Sequence, residues 1–179
     1  VDEQDGGGPT VAVDFEHLNK MLPAALTRRD GKFIWREGDD AKVSFRAVDG
    51  TIMQGAGFSS IDVTGLAAAT DAPNVESNLA SGVSSTRRQG QPMSTEILIE
   101  LEGTDHEGQP LRTRHAVVHR SGAAALTGLS VAMLLERLVE LDGQAPVRPG
   151  LYFPYQLLEA QVFLQRLRED GGELIELLE

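Results

Sequence analysis

Alternating apolar and polar positions form the clearest pattern in the chain. Between residues 96 and 101 every odd position is apolar, whereas two of the three even positions are glutamates. Such alternation is typical of a β-strand with one buried face. A polar turn containing Gly103 and Gly108 leads into a second β-prone segment, residues 111–120. The two segments are therefore predicted to pair as antiparallel strands.

The pairing of these two strands predicts which face of the sheet is buried. If Glu100 lies opposite Arg112, the apolar residues of both strands share one face and the glutamate and arginine side chains share the other. The shared apolar face comprises Ile97, Ile99, Leu101, Leu111, Thr113 and His115. We expect this face to belong to the core and the charged face to be wetter.

Helical periodicity follows in the last third of the chain. From Leu126 to Leu141 the apolar residues recur at the spacing of an amphipathic helix. The apolar stripe consists of Val131, Leu134, Leu135, Leu138 and Leu141. A second helix is predicted to begin at Pro154 and to end at Gly171, where a glycine pair stops it. Residues 173–178 are predicted to return as a strand.

The first half of the chain has weaker patterns. Apolar positions at helical spacing predict a helix that begins near Asp14 and ends near Pro23, where a backbone donor is missing. Residues 32–48 contain short β-prone runs around the polar turn at residues 38–40, which favours a hairpin. We expect Trp35 to pack inside the fold.

Glycine and acidic residues mark the domain boundary. The triple glycine within residues 1–12 is typical of a linker, so this segment is predicted to be a flexible lead-in. Residues 74–79 are predicted to be a strand and residues 81–92 a loop. Residues 13–179 are then expected to form a single α+β domain in two layers, in which a mixed, largely antiparallel sheet is covered on one face by helices. The chain starts at valine, and we expect further sequence to precede it.

Composition excludes several classes of function. The chain has no cysteine, which excludes disulfides and thiolate zinc sites and fits the cytoplasm. Its net charge of -11 repels a phosphate backbone, so nucleic acid is not an expected partner. No apolar run approaches the ~20 residues that a membrane-spanning helix needs, so membrane insertion is not expected.

Two histidines in the second predicted strand are candidates for acid–base chemistry. His115 and His119 lie four residues apart, which on a strand separates their side chains by ~13 Å. That distance excludes chelation of one metal ion by this pair, and no metal site is predicted. Either imidazole could transfer a proton near neutral pH, although a hydrogen-bonded histidine on a half-buried sheet is the commoner case.

An arginine pair and a tyrosine complete the candidate residues. Arg87 and Arg88 lie in the predicted loop, and a guanidinium can donate two parallel hydrogen bonds to a carboxylate. They could bind an acidic ligand, or they could be ordinary solvated loop arginines. Tyr152 lies among aromatic residues that are expected to pack, but its hydroxyl could face a cleft.

Several short motifs are similar to the C-terminal end of saccharopine dehydrogenase-like oxidoreductases. The similarity covers roughly residues 27–179 and is strongest after Ser121. It is carried by residues 72–76 (APNVE), the strand pair that ends near Arg120, Leu126-Thr127, Leu134-Leu135, and residues 149–157 (PGLYFPYQL).

The resemblance implies a role within a larger enzyme. Members of this family are NAD(P)-dependent oxidoreductases with an N-terminal dinucleotide-binding domain and a second domain that binds substrate and often forms a homodimer. The Gly-rich phosphate loop of the first domain is not found in this sequence, because the glycines at residues 6–8 and 55–57 lack the required strand and helix around them. The resemblance therefore implies a substrate-binding and dimerisation domain that binds no cofactor itself and lacks the Rossmann half. The alternative is a free-standing, non-catalytic module for subunit assembly or for holding a small acidic ligand.

Overall fold

A computed structural model describes residues 1–6, 25–58 and 61–177 of the chain. The chain divides into two compact units, each of which is described by itself. The inserted unit is Gly6–Gly82, and the C-terminal unit combines Val1–Asp5 with Val83–Glu179. Residues 13–179, which were predicted to be one domain, thus contribute to both units. The predicted α+β class is confirmed.

The inserted unit contains two small sheets and one helix of regular length among its described residues. Every strand pairing in it is antiparallel. The strands are β1 (Ala25–Arg29), β2 (Lys32–Arg36), β3 (Lys42–Arg46), β4 (Ile52–Gly57), β5 (Val75–Glu76) and β6 (Asn78–Leu79), and the helix is α1 (Ile61–Thr70). One sheet has the order β2-β1-β5 and the other β3-β4-β6. The predicted helix that begins near Asp14 lies outside the described residues.

The predicted hairpin over residues 32–48 is wrong. Strand β2 pairs with β1, and β3 pairs with β4, while a short 3-10 helix, Gly38–Ala41, separates β2 from β3. The reason lies in Asp30 and Gly31, which both have positive φ angles, 48° and 77°. A two-residue turn with this geometry matches the twist of paired strands, and Asp-Gly is one of the sequences that favour it.

The core of the inserted unit lies between α1 and the first sheet. Its buried residues are Val63, Ala67 and Val75, and Leu26 packs against them. Trp35 is 55% exposed, so the expectation that it packs inside the fold is wrong. Strand β2 is an edge strand, and no described strand covers its outer side.

The C-terminal unit contains one antiparallel sheet and four helices among its described residues. The sheet has the order β7-β8-β9. The elements are α2 (Ser85–Arg88), β7 (Thr95–Thr104), β8 (Pro110–His119), α3 (Gly122–Leu138), α4 (Pro154–Leu157), α5 (Ala160–Glu169) and β9 (Glu173–Leu177). The predicted strand pair, the first long helix and the final strand are confirmed. The second predicted helix is interrupted, because Leu158 and Glu159 have extended backbone angles between α4 and α5.

The buried face of this sheet is the opposite of the predicted one. Glu100 lies opposite Arg114 instead of Arg112, a shift of two residues that leaves every side chain on its predicted face. However, the side chains on the apolar face are about half exposed: Ile97 46%, Ile99 45%, Leu101 54% and Leu111 49%. The other face is the buried one, with Arg114, Ala116 and Val118 all below 8% exposure.

The helices explain this reversal. Helix α3 contacts β8 and α5 contacts β9, and each helix contributes a buried apolar side chain, Met133 and Leu167. The one charge buried on the packed face, Arg114, is neutralised by Glu100, whose Oε1 accepts a hydrogen bond from Nε at 2.8 Å. Alternation therefore predicted two distinct faces, but the position of the helices decided which of them is covered.

Candidate functional site

The first five residues form an acidic strap that is bound to the C-terminal unit. We call residues 1–5 the acidic strap. The Asp2 side chain has no exposed surface, and its carboxylate accepts three hydrogen bonds of 2.8 Å from the amides of Gln4 and Ser84 and from Nη1 of Arg87. Residues 1–5, which were predicted to belong to a flexible lead-in, thus make buried polar contacts with the rest of the C-terminal unit.

These contacts also set the ionisation of Asp2. Burial by itself raises the pKa of this carboxyl, but hydrogen bonds from Ser84, Gln4 and Arg87 outweigh burial and hold the pKa well below its usual range. The same ion pair raises the pKa of the Arg87 guanidinium. Asp2 and Arg87 are therefore a charged pair at any pH near neutrality.

A second carboxylate of the strap lies at the beginning of helix α3. Asp5 accepts hydrogen bonds from the Thr95 hydroxyl and from the Ala123 amide, the latter at 2.8 Å. A carboxylate at this position satisfies an amide that has no partner within the helix and interacts favourably with the helix dipole. Gly122 makes the approach possible, because a Cβ there would lie 2.5 Å from Oδ1 of Asp5. Gly122 also has a φ angle of 87°, which favours glycine.

Beneath the strap lies a buried group of hydroxyl side chains, which we call the hydroxyl cluster. It comprises Ser84, Ser85, Thr86, Ser94 and Thr95, none of them more than 8% exposed. Thr86 links the cluster internally, since its hydroxyl lies 2.9 Å from that of Ser94 and 2.7 Å from the carbonyl oxygen of Pro92. Buried hydroxyls need such partners, because an unpaired polar group in the interior costs free energy.

Glu96 is another carboxylate at this site. It accepts hydrogen bonds from the amide and hydroxyl of Ser85, at 2.7 and 2.9 Å, and from the hydroxyl of Ser94, at 3.1 Å. The site thus contains four carboxylates, those of Asp2, Glu3, Asp5 and Glu96, and its nearby cations include Arg87, Arg88 and the Val1 ammonium group. Asp2, Asp5 and Glu96 are stabilised mainly by N–H and O–H donors of the C-terminal unit.

The two arginines predicted from the sequence have different roles in this site. Arg87 is 21% exposed in its side chain and binds both Asp2 and Glu3, at 2.8 and 3.2 Å. Arg88 is exposed, and it donates hydrogen bonds to the carbonyl oxygen of Val83 and, at 3.0 Å, to the Ser85 hydroxyl. Arg87 therefore binds carboxylates, and these carboxylates belong to the chain itself.

The other predicted site residues lie elsewhere in the C-terminal unit. His119 is 1% exposed at the end of β8. The Ser121 amide donates to its Nδ1 at 3.2 Å, so Nε2 carries the proton and donates to Asp170, whose carbonyl and carboxylate oxygens each lie 3.2 Å away. Nε2 thus ties the end of β8 to the residue that follows α5, and Nδ1 binds the turn between β8 and α3.

His115 and Tyr152 are not brought to the strap either. His115 lies in the middle of β8, opposite Ile99 on one side and Glu176 on the other. The hydroxyl of Tyr152 donates to the carbonyl oxygen of Arg148 at 3.0 Å. Within the described residues, no group of three or more histidines, aspartates and glutamates is arranged to hold a metal ion.

Sequence reasoning missed the acidic strap and the hydroxyl cluster. The available signals were two aspartates three residues apart, at positions 2 and 5, and serines and threonines on either side of the arginine pair. Neither signal shows that the segments meet, because they are separated by the whole inserted unit. Arg87 was a candidate because the ability of a guanidinium to bind carboxylates can be read from the residue itself.

Comparison with known proteins does not place this chain in a family. No family model and no curated protein matches it. In the described part of the chain, no helix has both the length and the apolar character needed to cross a membrane.

Proposed function

We propose that this chain is the substrate-binding and dimerisation domain of a saccharopine dehydrogenase-like, NAD(P)-dependent oxidoreductase, and that it does not transfer hydride alone. The proposal depends on the sequence motifs given above and on one structural feature, the half-exposed apolar face of the β7-β8-β9 sheet. In the full-length parent, NAD(P) would bind to an N-terminal dinucleotide-binding domain.

The apolar face supports a role in association. Four side chains on it, Ile97, Ile99, Leu101 and Leu111, are each 45–54% exposed. They lie on adjacent strands, so they form one patch and not scattered contacts. A contiguous apolar patch on a protein surface marks an interaction site more often than an isolated exposed leucine does. Covering it with a second copy of the chain would remove these side chains from water.

Light scattering tests the homodimer. We expect the chain to be a dimer at micromolar concentration and the Ile99→Lys variant to be a monomer, because a charge in the centre of the patch would be buried without a partner. The matched control is Leu141→Lys, which places the same charge on an apolar residue that is 76% exposed after α3. A wild-type chain that stays monomeric at high concentration contradicts dimerisation.

Calorimetry with NADPH tests whether the cofactor binds to this chain or to another domain of the parent protein. We expect no heat of binding at sub-millimolar NADPH, because the sequence contains no Gly-rich phosphate loop between a strand and a helix. A saturable heat signal would contradict the assignment of cofactor binding to another domain. Activity of a longer chain with NADH and NADPH would then test the parent enzyme.

The acidic-ligand module remains a second candidate, favoured by Arg87. This side chain already binds two carboxylates from within the chain, so its position suits acidic groups. The role in a larger enzyme is distinguished from this alternative by the sequence that precedes Val1 in the gene product. A strand, a Gly-rich turn and a helix there support the oxidoreductase. For either role, we expect the cytoplasm as the compartment and no nucleic acid as a partner.

A further inference from the structure

The donors that bind the acidic strap form a receptor of defined chemistry. At one end, the Asp2 carboxylate meets the Arg87 guanidinium and the Ser84 amide, each at 2.8 Å. At the other end, Asp5 meets the Thr95 hydroxyl and the Ala123 amide. All four donors belong to the segment after residue 82, and both acceptors belong to residues 1–5. The two halves of the contact are therefore far apart in sequence.

The spacing of the two aspartates selects the kind of segment that fits. Within the strap, the Asp5 amide donates to the Asp2 carbonyl oxygen at 2.9 Å and the Gln4 amide donates to the Asp2 carboxylate at 2.8 Å. This turn fixes the conformation of the strap without using the Gln4 side chain. The features that a bound segment must supply are an aspartate, two intervening residues and a second aspartate.

Charge limits what else can occupy the receptor. Glu96 lies beside it and is bound to Ser85 and Ser94, while Arg88 lies next to Arg87 and binds the Ser85 hydroxyl. Glu3 adds a contact to Arg87 at the exposed rim, where its side chain is 54% exposed. A neutral segment would leave Arg87 without an anion, and a cationic segment would place positive charge beside it.

We infer that this surface of the C-terminal unit is a docking site for acidic Asp-x-x-Asp segments, and that residues 1–5 occupy it in cis. A partner protein with an exposed segment of this type competes with the strap and displaces it. The inference concerns an interaction surface and does not depend on the proposed enzyme.

A peptide titration tests the inference with the full chain. The probe is an acetylated, fluorescently labelled peptide of residues 1–6, and its control carries Asp2→Asn and Asp5→Asn. The receptor is freed by the Asp2→Ala/Asp5→Ala chain, whose own strap can no longer bind. In the wild type, the strap competes at millimolar effective concentration, so micromolar peptide should not bind.

Anisotropy should show binding of the acidic peptide to the freed chain. We expect the control peptide to bind at least about tenfold more weakly, and Arg87→Ala in the freed chain to lower the affinity by a similar factor, since each removes a hydrogen bond to a charged group. Equal binding of both peptides, no effect of Arg87→Ala, or no binding at millimolar peptide would overturn the inference.

Folding of the freed chain is checked by hydrogen exchange of the β8 amides. If the double variant does not protect these amides, the titration is repeated with the Asp2→Asn/Asp5→Asn chain, in which both side chains keep their size but lose the charge that holds the strap. The same three outcomes then apply to that variant. In either variant, weakened binding of the control peptide is the result that supports recognition of the two aspartates.

Discussion

Replacing Asp2 by asparagine tests whether the acidic strap stabilises the C-terminal unit. The carboxylate accepts from the amides of Gln4 and Ser84 and from Arg87. An asparagine side chain offers one acceptor oxygen in place of two, and its NH2 group would face N–H donors with which it cannot form a hydrogen bond. A hydrogen bond to a charged group contributes about 1.5–3 kcal/mol, so loss of one to two of them costs about 3 kcal/mol at neutral pH. Arg87 retains Glu3, which limits the loss.

The effect of Asp2→Asn on the unfolding free energy should also depend on pH in a defined direction. The folded pKa of Asp2 lies below its unfolded value of about 3.9. The Asp2 carboxylate therefore contributes its full stabilisation of the folded state above that pH, and this stabilisation declines as the pH falls towards the folded pKa. Asparagine does not titrate. The difference in unfolding free energy between wild type and Asp2→Asn should therefore narrow as the pH falls below about 4.

The assay must follow the two units separately. The single tryptophan, Trp35, lies in the inserted unit, so its fluorescence during urea unfolding reports that unit. Hydrogen exchange of the β8 amides reports the C-terminal unit. We expect Asp2→Asn to lower protection in β8 by about 3 kcal/mol. The control, Glu107→Gln, removes the same charge from an exposed turn and should change protection by less than about 0.5 kcal/mol. Equal protection in Asp2→Asn and wild type at pH 7 would refute the reasoning.

Two further substitutions test other contacts of the C-terminal unit. Gly122→Ala should lower the stability of the C-terminal unit by more than Gly108→Ala does. Both glycines have positive φ angles, but only at Gly122 would a Cβ lie against Asp5. Urea unfolding followed by hydrogen exchange measures both variants, and equal losses of stability contradict the steric argument. His119→Ala should cost about 2 kcal/mol through loss of hydrogen bonds at both ring nitrogens, whereas His106→Ala in the exposed turn should cost less than about 0.5 kcal/mol. If the two histidine variants unfold at the same urea concentration, His119 is not the tie between β8 and α5 described above.

Local patterns predicted elements well where one segment contains all the information. The β7-β8 pair follows from alternation around a polar turn, and α3 follows from helical periodicity. The β1-β2 hairpin could also have been found, because Asp30-Gly31 is a strong turn signal. It was missed because Ala25–Arg29 was not recognised as a strand. Helix α1 has no clear apolar stripe, so periodicity did not indicate it.

Burial was predicted less well, because it depends on what packs against each face. The odd positions of β7 are more apolar than the even ones, yet Ile99 is 45% exposed while Arg114 on the opposite face is 7% exposed. The even face is covered by the helices, and the charge that this buries is compensated by Glu100. Apolar character shows that a face can be buried, but not which partner covers it.

The candidate site also combines features that follow from the sequence with contacts that depend on the tertiary structure. By itself, the sequence determined the antiparallel pair, the amphipathic helix, the acidic charge and the carboxylate chemistry of Arg87. Only the tertiary structure decided that Arg87 binds Asp2, because 84 residues of chain lie between them and no local pattern specifies that contact. Hydrogen bonds of this kind form only after the fold brings donor and acceptor together, and burial then makes them strong.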